Sequence, residues 1–131
     1  MKKIFFGFLA MAAMANADIT NVPVSKAFLG RNIKIIDIRT PAEWASTGII
    51  KGAYPIMFFD EKGEAKETAF RVKLNKIIKK NEKFAIICRT GARTAVVAKI
   101  LDSDYDVINL QGGMVKLMQE GYKPVPYKAI R

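Results

Sequence analysis

The chain has no histidine and a single cysteine, Cys88. Without an imidazole to take the thiol's proton, a cysteine–histidine hydrolase is impossible within this chain. One cysteine and no histidine also leave too few soft ligands for a structural zinc site, so no metal is expected. A lone thiol has no partner for an internal disulfide. Any nucleophilic role for Cys88 must therefore rest on its local electrostatics. Acidic residues are scarce too: 12 against 22 basic ones, a net charge of +10. A length of 131 residues fits one domain with one sizeable core. Repeats and low-complexity segments are absent.

The first 17 residues read as a cleavable export signal. Lys2 and Lys3 make a basic start, and Ile4 to Ala15 is a stretch of twelve apolar or small residues, too short to span a bilayer comfortably. Ala15-Asn16-Ala17 then matches an A-x-A cleavage site. An uncleaved anchor is the alternative reading. With no cysteine near the cut, a lipidated lipoprotein is excluded. Cleavage leaves Asp18 to Arg131, 114 residues with a net charge of +8 once Lys2 and Lys3 are gone, and a periplasmic location is expected. An oxidising compartment drives cysteines into disulfides, so an unpaired thiol there is worth attention.

Cys88 sits between Phe84-Ala85-Ile86-Ile87, an apolar run suited to a buried strand, and Thr94 to Leu101, which suits a helix. A thiol on that turn faces the converging N–H groups and positive dipole end of the helix start. Taken alone, a cysteine at a strand end is most simply a small buried apolar residue. Its neighbours argue otherwise. Arg89 and Arg93 favour a thiolate and any anion bound to it, while Gly91 allows a backbone conformation or close approach that a side chain would block. The turn is suited to wrapping an anion.

Ile33 to Ile38 reads as a buried strand. Thr40-Pro41-Ala42-Glu43 then starts a helix, with Thr40 as cap, Pro41 at the first position and Glu43 completing a capping box. Trp44 and Ala45 are expected to pack inward, and Gly48 to end the helix. Tyr54 to Phe59 reads as a short strand and Asp60-Glu61-Lys62-Gly63 as an exposed turn. An amphipathic helix is expected over 66–80, with Phe70, Leu74, Ile77 and Ile78 on one face. Lys73, Lys76, Lys79 and Lys80 lie mostly away from it, as a solvated face. That arrangement, in an exported protein, does not call for nucleic acid. Asp106 to Leu110 is a further strand, Gln111-Gly112-Gly113 a turn and Met114 to Glu120 a helix stopped by Gly121. The tail, with Pro124 and Pro126, is expected to be extended. Strands alternating with helices imply an α/β fold, a mainly parallel sheet with helices on both faces. Sites in such sheets gather beyond the strands' carboxyl ends, where Asp37-Ile38-Arg39, the Cys88 turn and Gln111-Gly112-Gly113 all fall.

In this order, Asp37-Ile38-Arg39, Glu43-Trp44, Gly48 through Gly52-Ala53, Cys88 to Thr94 and Asn109 to Met114 resemble the single-domain form of the rhodanese family of sulfurtransferases. The resemblance implies a rhodanese-like domain over 18–131 with a central sheet of about five strands. It makes Cys88 the carrier of a persulfide sulfur, with no other cofactor. The loop from Cys88 would cradle that sulfur through Arg89, Thr90, Gly91, Ala92, Arg93 and Thr94, with Arg89 and Arg93 binding a small anionic donor such as thiosulfate. Cyanide or a thiol would be the acceptor. The chain departs from many members at Ile49, where they have His, and near Leu117, where they carry Trp; both positions suit packing here.

Asp37 and Arg39 stand close enough in sequence to back the pocket. Asp37 or Glu43 is expected to pair with Arg39 or a loop arginine in a structural role, and Arg39 either reaches the pocket or pairs with Glu43. A cysteine phosphatase or arsenate reductase is the enzymatic rival, but such loops place five residues between cysteine and arginine, whereas four separate Cys88 from Arg93. The rival of another class is a non-catalytic binding module. Trp44, Met57, Met114 and Met118 are expected in the core or at its rim.

Overall fold

A computed structural model describes residues 19–128; the expected export signal at 1–17 lies outside the described residues. The β-branched and apolar runs form the strands they predict, β2 (Lys34–Asp37), β4 (Phe84–Ile87) and β5 (Val107–Gln111). With β1 (Ile19–Pro23) and β3 (Tyr54–Pro55) they make one parallel sheet in the order β1-β5-β4-β2-β3. Four helices connect or follow them: α1 (Pro41–Thr47), α2 (Glu67–Asn75), α3 (Ala92–Leu101) and α4 (Gly113–Gln119).

The period-two alternation of a strand sends successive side chains to opposite faces. Ile36, Ile38, Phe84, Ile86 and Cys88 pack on one face with Phe70 and Leu74 of α2 and Val97 and Leu101 of α3. Ile35, Ala85, Ile87, Ile108 and Leu110 pack on the other with Phe28 and with Met114 and Leu117 of α4. The sheet is thus covered on both sides, as a parallel sheet requires. Leu117 is fully buried in this second layer. Ile49 bonds through its backbone to Val125 of the extended tail. Of the two departures from the family pattern, Leu117 thus packs in the core, whereas Ile49 is half-buried and lines a cavity at the β3 edge.

Three details differ from expectation. The strand over Tyr54–Phe59 shortens to Tyr54–Pro55, because Pro55 has no N–H to continue a ladder and lies at the sheet edge. Its backbone still follows β2, with Ile56 and Phe58 donating to the carbonyls of Asp37 and Ile38. The helix over 66–80 ends at Asn75; Ile77 and Ile78 both donate to Leu74 as the chain turns out of it, so Ile78 stays in the core while Ile77 is half-buried. Ala45 is exposed, since one helical step from the buried Trp44 turns it to solvent. The cap of α1 has the expected form. Thr40 accepts from the N–H of Glu43, Glu43 accepts from the N–H of Thr40, and Gly48 closes the far end.

At the carboxyl end of β2, Asp37 and Arg39 form a buried ion pair, each at most 1% exposed. Arg39 donates from Nε to Oδ1 of Asp37 at 2.9 Å and from Nη2 to Oδ2 at 2.7 Å. It also donates to Thr47 Oγ1 and the carbonyl of Gly48, tying the C-terminal end of α1 to the strand. Breaking a buried pair strands a charge, so Arg39→Ala is expected to cost about 3–5 kcal/mol, measured by urea denaturation.

Candidate active site

Parallel pairing places Asp37 beside Ile87, so the chain leaves β2 and β4 at the same rim. Cys88 is the first residue beyond β4 and is 1% exposed. It packs against the core on one side, yet its sulfur faces the turn. The N–H of Gly91 donates to Sγ at 3.2 Å, and the thiol lies 3.7 Å from Thr94 Oγ1. Thr94 in turn donates to the Gly91 carbonyl, closing a ring of contacts within the loop. Gly91 caps α3 with φ of 102°, a left-handed conformation that favours glycine. The N–H groups of Ala92, Arg93 and Thr94 open α3 and have no partner four residues back, which makes this end a donor-rich site for negative charge.

The loop is held from behind by the Gly112–Gly113 turn. Met114 and Val115 donate their N–H groups to the carbonyls of Cys88 and Arg89 at 2.9 and 3.0 Å. A Cβ on Gly113 would stand 2.4 Å from the Arg89 carbonyl oxygen and 2.6 Å from that of Cys88. The turn expected at Gln111-Gly112-Gly113 therefore backs the thiol loop directly.

The two loop arginines differ. Arg93 makes a bidentate pair with Glu43, both N···O distances 2.7 Å. Arg93 is the main reason the Glu43 carboxyl is lowered from 4.5 to about 2, with the Thr40 N–H adding to it against the cost of burial. Those same bonds hold Arg93 further into its protonated range, and nearby Cys88 and Asp37 reinforce them. Arg89 is exposed and makes no side-chain hydrogen bond or ion pair among the described residues. Thr90 and Ala92 are exposed beside it. Arg39 does not enter the pocket and does not pair with Glu43; all three nitrogens of its guanidinium are engaged by Asp37, Thr47 and Gly48. Asp37 and Arg39 thus brace α1, which carries Glu43.

A cleft of about 670 Å³ opens over the loop, lined by Arg89, Ala92, Arg93 and Val96 on one wall and Phe59, Asp60 and Glu61 on the other. Cys88 itself is not among the lining residues; its loop reaches the cleft through Arg89, Ala92 and Arg93. The second wall was legible only as a turn in the sequence. Its position follows from β3 ending at the same rim as β2 and β4. Asp60 is occupied as a turn former, accepting from the N–H groups of Lys62 and Glu64, both at 2.9 Å. Among the described residues no group of three or more metal-ligating side chains is assembled.

Residues 24–120 match the family described as rhodanese-like domain, and the chain belongs to that family. A curated relative, the Arabidopsis thaliana "Protein HIGH ARSENIC CONTENT 1, mitochondrial", is 26% identical over 110 residues, which are 82% of this chain and 65% of that protein. This chain therefore spans just under two thirds of that relative's length. Among solved structures, a rhodanese-related protein from Thermoplasma volcanium is 26% identical with a TM-score of 0.62, covering 80% of this chain and 98% of that one. The polysulfide-sulfur transferase homodimer of Wolinella succinogenes shares the fold at 22% identity and a TM-score of 0.60, covering 96% and 92%.

Gly113→Ala forces a Cβ into backbone at a φ of 63° and is expected to cost about 1–3 kcal/mol. Hydrogen exchange should show the loss as faster exchange at Met114 and Val115. For Glu43 the native pKa lies below the unfolded one, so its stabilisation is complete above about pH 4.5 and disappears as pH falls toward 2. Thermal melts across that window should show the midpoint falling. Glu43→Gln keeps a capping side chain but loses the ion pair, so its melting point should be lower near neutrality and flatter across the same window.

Proposed function

We propose that the protein is a sulfurtransferase in which Cys88 carries a sulfane sulfur as a persulfide. The observation that carries this reading is the Gly91 N–H aimed at Cys88 Sγ at 3.2 Å, on a turn that opens a ten-residue helix. Preorganised N–H donors at that point favour charge on sulfur and cost no rearrangement as the charge develops. In the first step the Cys88 thiolate attacks the outer sulfur of the donor. An S–S bond forms to Sγ, and the donor's own sulfur bond breaks with its electron pair on the leaving group, sulfite when the donor is thiosulfate. In the second step a thiolate or cyanide attacks the outer sulfur and Cys88 leaves as thiolate. The kinetics are ping-pong. Neither step needs a general base once the thiol is ionised, which agrees with a chain that lacks histidine.

Arg89 is the cation available to draw in an anionic donor, while Arg93, matched by Glu43, shapes the loop. Sulfane-sulfur chemistry on this fold is supported by the name of the Wolinella protein, and cyanide or a small thiol serves as acceptor. Four residues between Cys88 and Arg93 make the turn tight for a tetrahedral oxyanion, and with Arg93 held by Glu43 the loop favours sulfur over phosphate or arsenate. Export to the periplasm, with cleavage after Ala17, completes the proposal. Among the described residues no helix is long and apolar enough to cross a membrane.

Cys88→Ser should abolish thiocyanate formation from thiosulfate and cyanide while leaving the free energy of unfolding within about 1 kcal/mol of the parent. Intact-mass spectrometry of the parent after donor treatment should show one added sulfur, about 32 Da by covalent arithmetic, and the same spectrum reads the cleavage site. A Ser variant that still forms thiocyanate removes Cys88 from the reaction. A parent that never gains sulfur and alkylates slowly near neutral pH is a binding module instead.

A further inference from the structure

A second cavity, of about 600 Å³, lies between the β3 edge, the end of α2 and the C-terminal segment. Its floor is apolar, formed by Tyr54, Ile56 and Ile77. Lys73, Lys76 and Lys128 line it, and no acidic residue does. None of these three ammonium groups is in an ion pair among the described residues. The chain's net charge alone does not explain this, because the cleft over Cys88 carries Glu43, Asp60 and Glu61. Apolar surface and unpaired cations are segregated into one groove of small-molecule size.

From this arrangement we propose that the groove is a binding site for an amphipathic carboxylate, its hydrocarbon on the apolar floor and its head group against the lysines. Burying hydrocarbon on the floor supplies the driving force, and the lysines set the sign of the head group. Lysine offers a point charge on a flexible stem, which suits a singly charged head group. The bidentate arginines and converging backbone donors of a phosphate site are absent from the lining. A second copy of the chain fits poorly, since a symmetric contact would bring these lysines against their counterparts. The site is independent of the sulfur chemistry.

The fold supplies a reporter. Tyr127 lines the groove and packs on Trp44 with ring centroids 5.3 Å apart, and Trp44 is the chain's one tryptophan. Titration of the full chain with decanoate, below its micelle concentration, should give a saturable change in Trp44 fluorescence with one site per chain by calorimetry. Decanol and decylammonium should bind at least about tenfold more weakly. The double variant Lys73→Gln/Lys76→Gln, at exposed positions, should stay folded with a melting point close to the parent's and lose at least about tenfold in decanoate affinity. Cys88→Ser should bind decanoate like the parent. Equal binding of decanol, an unaffected lysine variant or no saturation each overturns the proposal. So does lysine-dependent binding to anionic vesicles or to an acidic peptide without decanoate binding. Concentration-dependent dimerisation abolished by the lysine variant, again without decanoate binding, assigns the groove to a second copy and also overturns it.

Discussion

The thiol loop keeps its shape because two backbones meet where only glycine fits. The Gly113 backbone lies so close to the Cys88 and Arg89 carbonyls that no Cβ can stand between them, and the first N–H groups of α4 bond to those carbonyls. Two helix starts are thereby coupled. The opening of α4 binds the outer side of the loop through its carbonyls, and the opening of α3 supplies N–H groups on the inner side. Fixing the carbonyls outward leaves the donors of the turn free for the sulfur. A loop held by backbone on one side and by a helix cap on the other needs little help from side chains, and this lets its residues face the cleft.

Glu43 joins the remaining wall to this arrangement. It completes the capping box of α1 and clamps Arg93, so one carboxylate fixes a helix start and a loop arginine together. The buried Asp37–Arg39 pair holds α1 in place beneath it through Thr47 and Gly48. Positioning therefore runs from the sheet to Arg39, to α1, to Glu43 and on to Arg93. The electrostatic result is less cationic than the sequence suggests. Arg93 is matched by Glu43, Glu61 lines the same cleft, and much of the chain's excess positive charge lies elsewhere, on α2 and the segment after it. Attraction for an anion is left to Arg89 and the helix start, over a short range.

Much of this was legible because the governing physics is local. β-branched runs, a Thr-Pro-Ala-Glu helix start and glycines after strands each carry their meaning within a few residues. The order of those segments placed Asp37, Cys88 and Gly112 at one rim. What escaped depends on partners far along the chain. β1 includes Thr20, Asn21 and Pro23 and pairs with β5 alone at the sheet edge, so its sequence lacks the apolar signature of a central strand. The choice of partner for each charge was equally hidden. Arg39 turns back to Asp37 two residues away, while Glu43 reaches Arg93, fifty positions on. The Phe59–Glu61 wall reads as an ordinary turn until the sheet order sets it opposite Arg89.

The burial of Cys88 bears on the chemistry in a way its sequence neighbours did not reveal. A thiol that is 1% exposed, with its sulfur under a closed turn, is shielded from bulk water and from bystander thiols that would exchange with it. The same enclosure would protect a persulfide on Cys88, were one formed as proposed, from water and stray thiols. An exposed thiolate of equal reactivity would form mixed disulfides in an oxidising compartment as readily as it accepted sulfur. On this reading the hydrocarbon behind Cys88 and the N–H group in front of it have complementary tasks. The first excludes competing partners, and the second stabilises the charge that each transfer returns to sulfur.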